Sequence, residues 1–157
     1  MTRELRNAMS HFTTGVTVVT ARFDEQDWGM TCNSFSTVSL EPALVLWSIR
    51  KESLSHQAYI GSGGYMVSIL ARTQQHLAMQ FTQGTQAERF RNVPVEHSAS
   101  SLRPRIKGAV AWFDCALEAA VPAGDHDILI GRVLDFGIHG GDSLVYTNRT
   151  FGSFKPL

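Results

Sequence analysis

Apolar residues recur at Leu5, Ala8, Met9 and Phe12. That i, i+3, i+4, i+7 spacing predicts a short helix with one apolar face. Thr13-Thr14-Gly15 breaks it. Val16 to Phe23 is rich in Val and Thr and reads as a strand with both faces partly apolar. Asp24 to Asp27 is a polar turn that returns the chain into Trp28–Ser34, which predicts a hairpin. Glu41-Pro42 stops the next segment, because proline cannot donate to a ladder. Ala43–Ile49 then reads as a core strand.

Ser53 suits the N-cap of a helix running to about Tyr59, since its hydroxyl can accept from an early free N–H. Gly61-Ser62-Gly63-Gly64 ends that helix, and Tyr65–Leu70 is a short buried strand. Thr73 is expected to cap a further helix, with Leu77 and Phe81 on its apolar side and Gly84 at C′. Residues 86–105 are mixed in charge and read as an irregular surface excursion. Ala111, Phe113, Cys115, Leu117 and Ala119 alternate with Trp112, Asp114 and Glu118, the period of a half-buried strand. Val121–His126 turns, Asp127–Phe136 is a strand buried on both sides, and Leu144–Thr147 is the last strand. Short strands without regular βαβ alternation predict a mainly β fold. The expectation is a closed or nearly closed antiparallel barrel with a few peripheral short helices.

Composition narrows the function. A chain of 157 residues is long enough for a single domain, taken here as 1–157, with a real core. Hydrophobic content is 43% and charged content 18%, with 14 basic against 14 acidic residues. A nucleic-acid or anionic-membrane protein would show a basic excess, so neither partner is expected. No apolar run is long enough to span a bilayer and the N-terminus has no hydrophobic signal region, which points to the cytoplasm. Cys32 and Cys115 form no CxxC pair and read as reduced structural thiols. The histidines show no metal-ligand spacing, so no metal is expected.

Chemistry concentrates in Gly29–Leu40. Thr31, Asn33 and Ser34 place small polar groups where a buried strand would carry Val or Ile. Such a strand end leaves backbone groups accessible to a flat, polar-edged ligand. Ser48, Arg50, Lys51 and Ser53 cluster beside an expected helix start, where free N–H groups and added donors favour an anion. No Gly-x-Gly-x-x-Gly opens a βαβ unit, so any nicotinamide must bind outside a Rossmann site.

Gly-Met-Thr-x-Asn-Ser-Phe-x-x-Val-Ser-Leu-x-Pro, as it stands from Gly29 to Pro42, resembles the signature of the flavin reductase-like family. Phe12-x-Thr14-Gly15-Val16-x-Val18-Val19-Thr20 is similar to that family's opening strand, and Gly124-Asp125-His126 to its Gly-Asp-His turn. The resemblance runs from Phe12 to Gly152. It implies an FMN-binding split β-barrel and an NAD(P)H:flavin oxidoreductase. Such an enzyme moves hydride from NADH or NADPH to FMN or FAD and supplies reduced flavin to a partner monooxygenase. It also implies a homodimer.

Carried onto this chain, the resemblance puts Thr31, Cys32, Asn33, Ser34 and Phe35 along the isoalloxazine edge. Ser48, Ile49, Arg50, Ser53 and Leu54 fall on the ribityl phosphate side, and Phe81 touches the flavin from the following helix. His126, Tyr146 and Arg149 fall on the nicotinamide side, with His126 as the catalytic residue. Two departures matter. Cys32 stands where the family commonly has Ala, which raises a thiol nucleophile with His126 as base as a different chemistry. Asn148-Arg149 and Phe151 stand where the family often has Arg-Gly and Tyr. The altered tail keeps a second reading in view, a flavin carrier or redox sensor without nicotinamide turnover. A third keeps the barrel but binds haem or a pyridoxal-type phosphate.

Overall fold

A computed structural model describes residues 2–157. Helix α1 spans Arg3–Ser10. The strands are β1 (Thr14–Gly15), β2 (Thr17–Phe23), β3 (Gln26–Cys32), β4 (Ser36–Leu40) and β5 (Ala43–Arg50). After α2 (His56–Gly61) come β6 (Gly64–Ile69), α3 (Gln75–Gln80) and α4 (Gln86–Phe90). A small β7 (Val95–His97) and β8 (Pro104–Ile106) pair precede the long β9 (Ala111–Ala123) and β10 (His126–Ile138). Strands β11 (Leu144–Thr147) and β12 (Thr150–Ser153) close the chain.

The main sheet has seven strands in the order β3-β2-β6-β9-β10-β5-β4, and all its pairings are antiparallel. Its two edge strands, β3 and β4, are neighbours in the chain, yet no ladder joins them among the described residues. The antiparallel β class is therefore as expected, but the sheet is open rather than a closed ring. It curls so far that β3 and β5 share one core. Cys32 of β3, Val19 of β2, Tyr65 of β6, Leu129 of β10 and Trp47 of β5 belong to a single buried cluster.

Trp47 is wholly buried and meets Tyr59 and Tyr65 edge-on, at centroid distances of 4.8 and 5.8 Å. Each such pair adds about 0.5–1.5 kcal/mol beyond area burial. The two phenols stay satisfied by donating to backbone, Tyr59 to Val19 O and Tyr65 to Leu129 O. A second cluster packs Val18, Leu77, Phe81 and Ile106 beneath β1, β11 and β12.

The local differences from expectation have identifiable causes. The β2–β3 hairpin turns on Asp24 and Glu25 alone, both left-handed at φ 55° and 61°. Helix α2 begins three residues after Ser53, whose hydroxyl accepts from Ser55 N–H in the preceding turn instead of capping. Thr73 lies within a 3₁₀ turn, Arg72–Gln74, where Gln74 Oε1 accepts from Ala71 N–H. Gly84, at φ +81°, precedes α4 rather than ending α3. The supposedly irregular 86–105 segment holds α4 and β7–β8, and Leu144–Thr147 is followed by one more strand. The apolar face of α1 is uncovered: Leu5, Met9 and Phe12 are all exposed.

Candidate functional site

The groove lies where the open sheet leaves its seam. Asn33, Ser34 and Phe35 link edge strand β3 to edge strand β4. Ser34 fastens this link to β5: its hydroxyl accepts from Ser48 N–H at 3.0 Å and donates to Ser48 O at 3.4 Å. On the far side, β5 pairs with β10 so that Arg50 sits opposite His126. Lys51 fixes the β9–β10 turn from both its ends, its N–H donating to Asp125 O and its ammonium to Gly124 O. Gly124 adopts φ +63°, a backbone that favours glycine.

A cavity of about 540 Å³ results, lined by Thr31, Asn33, Ser34, Ser48, Arg50, Ser53 and His126, together with Met30, Cys32 and Glu52. A second, of about 410 Å³, shares Thr31 and Asn33 with it and is bounded beyond them by Tyr146, Arg149 and Phe151. The two form one groove divided by the end of β3. Its outer edge is sealed up to Thr31, whose N–H donates to Phe81 O and whose hydroxyl donates to Ala78 O. Beyond that point the Asn33 N–H makes no hydrogen bond among the described residues. Tyr146 and Phe151 are cross-strand partners with ring centroids 5.1 Å apart, so they form one aromatic wall.

Charge is distributed unevenly. Arg50 makes no ion pair among the described residues, whereas the neighbouring Lys51 is committed to the turn. His126 donates Nδ1–H to Asp125 Oδ1 at 2.7 Å, and that hydrogen bond holds the Asp125 carboxyl below the usual carboxylate range. The Cys32 thiol is 7% exposed and burial pushes its pKa up, a shift opposed by hydrogen bonds from Ser34, Thr17 and Phe35. A raised thiol pKa is the opposite of what a nucleophile needs.

Not every expected residue reaches the groove with its side chain. Ile49 is fully buried between outward-facing Ser48 and Arg50, as strand alternation requires. The Phe81 ring is fully buried and packs edge-on against Phe90. Phe35 lies against Phe113, at 5.8 Å between centroids, and Leu54 is 97% exposed outside both cavities. Residues the sequence reading passed over do contribute. Glu52 enters the first cavity, and Val16, Met79 and Thr82 the second. Met79 carried a signal, being a large apolar residue off the Leu77–Phe81 face of its helix.

An open antiparallel sheet with a polar groove at the seam between its edge strands defines the class of the domain as mainly β. The chain belongs to the flavin reductase like domain family, whose profile matches residues 9–155. It is similar to the FMN reductase (NADH) SmoA of Agrobacterium fabrum, with 42% identity over 153 residues covering 98% of this chain and 86% of that one. It is similar also to an NADH-dependent FAD reductase of Streptomyces globisporus, at 37% over 134 residues, 83% of this chain and 73% of that one. Among solved structures, BorF, the flavin reductase component of a bacterial two-component tryptophan halogenase, superposes with a TM-score of 0.92 at 37% identity. That superposition covers all of both chains.

Proposed function

We propose that this chain is an NADH-dependent flavin reductase that hands reduced flavin to a partner monooxygenase. The observation that carries the reading is the single groove in which the open end of β3 separates Arg50 and His126 from Tyr146 and Arg149. The residues fit a flavin. Arg50, Ser48 and Ser53 offer a guanidinium and two hydroxyls for a phosphate, and the unengaged Asn33 N–H suits the polar edge of a planar ring. When bound, the flavin accepts two electrons as hydride from reduced nicotinamide, with FMN and FAD both among the relatives' substrates.

The protein's share is orientation and exclusion of water. Asp125 fixes His126 with Nδ1 protonated, so Nε2 is the nitrogen left to accept from a carboxamide or to hold a proton. Tyr146 brings a phenol to the wall where Phe151 has none, and Arg149 adds a cation for the phosphates of the nicotinamide nucleotide. The curled open sheet is read as a split β-barrel, and residues 1–157 as one domain. A homodimer suits the exposed Leu40, Phe136 and Ile138 on β4 and β10. The free buried thiols of Cys32 and Cys115 suit the cytoplasm. Among the described residues no helix is long and apolar enough to cross a membrane.

The test is NADH oxidation in air with FMN and FAD in parallel. Turnover that depends on added flavin supports the reading. Tight flavin binding without NADH oxidation replaces it with a carrier or sensor, and no flavin binding at all removes both.

A further inference from the structure

We propose that Gln86 is a positioning residue for flavin binding, holding the two walls of the groove at a fixed separation. This rests on the reading of the groove as the flavin site. Strand β3 is a sheet edge, so its outer backbone groups have no strand partner. The α3–α4 segment supplies partners instead. Arg89 Nη1 donates to Gly29 O at 2.8 Å, and Gly29 N–H donates to Gln86 Oε1 at 2.8 Å.

Gln86 alone continues across to the other wall. Its Nε2 donates to Ser55 Oγ at 3.3 Å, and Ser55 N–H donates to Ser53 Oγ at 3.2 Å. Ser53 lines the phosphate side of the groove, and Gly29 lies two residues before Thr31, which lines both cavities. One amide thus ties the strand bearing Thr31, just before Asn33, to the turn bearing Ser53. A primary amide is suited to this because it accepts at oxygen and donates at nitrogen.

The amide is held in register by its own helix start. Thr85 Oγ1 accepts from Glu88 N–H, and Thr85 N–H donates to Glu88 Oε2, which fixes the first turn of α4 around Gln86. Ser55 is buried, and Gln86 is the partner its hydroxyl has among the described residues. Gln86 lines neither cavity. Its effect must therefore pass through the backbone of the two walls.

The experiment compares Gln86→Met with Gln86→Glu, measuring FMN and FAD Kd by fluorescence quenching, steady-state kinetics and Tm. Gln86→Met removes both hydrogen bonds at similar volume. Flavin Kd and flavin KM are expected to rise about tenfold, the scale of one lost buried hydrogen bond, with the loss in KM rather than kcat. Gln86→Glu keeps the acceptor for Gly29 and can accept from the Ser55 hydroxyl, so it should recover most of the affinity. Ser55→Ala cuts the same bridge from its other end without touching α4, and should weaken flavin alike if Gln86→Met fails to fold. Unchanged flavin Kd in Gln86→Met or Ser55→Ala overturns the proposal, as does equal weakening in Gln86→Glu. A wild-type protein that binds no flavin instead overturns the reductase reading itself.

Discussion

His126 and Asp125, adjacent in one turn, are joined by a 2.7 Å hydrogen bond from imidazole Nδ1–H to carboxylate Oδ1. The pairing selects the tautomer, and it leaves Nε2 as the only ring nitrogen free to act. Asp125 is therefore expected to set nicotinamide binding through His126. Asp125→Ala should raise the KM for NADH about two- to fivefold, the scale of an exposed pair. Asp125→Asn, which keeps an acceptor oxygen, should stay close to wild type. The pairing lowers the Asp125 pKa, so its contribution is complete above the unfolded value near 4 and fades only as pH falls through the lowered one. An unchanged KM for NADH in Asp125→Ala would contradict the assignment.

The turn between β11 and β12 carries two left-handed residues, Asn148 at φ 47° and Arg149 at φ 62°. A side chain in that conformation costs roughly 1 kcal/mol, which glycine would avoid. Arg149→Gly should therefore hold or raise Tm, by about 0.5 kcal/mol of stability once the looser unfolded chain is counted. It should also raise the KM for NADH about tenfold by removing a charge-assisted phosphate contact. Thermal melts and kinetics on one preparation check both signs. If the KM is unchanged, Arg149 has no part in the nucleotide site.

Cys32 faces the core, and burial keeps its thiol protonated at neutral pH. Cys32→Ala should keep flavin-dependent turnover within about twofold and lose about 1 kcal/mol of stability through the small cavity left behind. Native protein should resist thiol reagents at pH 8 until unfolded, since Cys115 is buried too and pushed up to about 12 by burial. Turnover abolished in Cys32→Ala with flavin still bound would restore the thiol enzyme.

Arg103 and Asp114 form a buried ion pair at 2.8 Å, completed by Ser101 donating to the same carboxylate and by Arg103 donating to Cys115 O. Removing only the carboxylate leaves a buried guanidinium without its partner. Asp114→Ala should cost about 3–5 kcal/mol in urea unfolding, and replacing both residues by apolar ones of similar size should cost less. Equal losses would mean that the pair itself, rather than an orphaned charge, is what stabilises this region.

Burial and alternation made much of the fold legible. The strands from Thr17, Ala43 and Tyr65 place apolar residues against the main core, and their patterns show it. Strand β9, expected to be half-buried, also buries Trp112 and Asp114 on its other face, where Asp114 pairs with Arg103. Strand β10, expected to be buried on both sides, exposes Arg132, Leu134 and Phe136, because its C-terminal half lies beyond the core. Strand β4 shows no such pattern. Ser36, Thr37, Val38 and Leu40 are all exposed, so pairing with β5 holds the strand and leaves no hydrophobic trace. Helix α4 has five residues, too few for periodicity, although the Thr85-x-x-Glu88 box could have been read. In the groove, Thr31, Asn33, Ser34, Ser48, Arg50, Ser53 and His126 come from short motifs, whereas Met79 and Thr82 arrive by tertiary packing alone. Ile49 illustrates a rule available in advance: between Ser48 and Arg50 facing outward, it has to face inward.

The two free edges of the main sheet are not equally protected. Strand β3 is shielded by Gln86, Arg89 and Phe81, which occupy its outer backbone groups. Strand β4 has no such cover among the described residues and no charged side chain, and its tip presents Leu40 at 93% exposure. An uncharged, uncovered edge is a template for strand addition by another molecule. Left bare, the β4 edge is a nucleus for precipitation, and Ser39→Lys is the substitution expected to keep dilute or heated preparations clear.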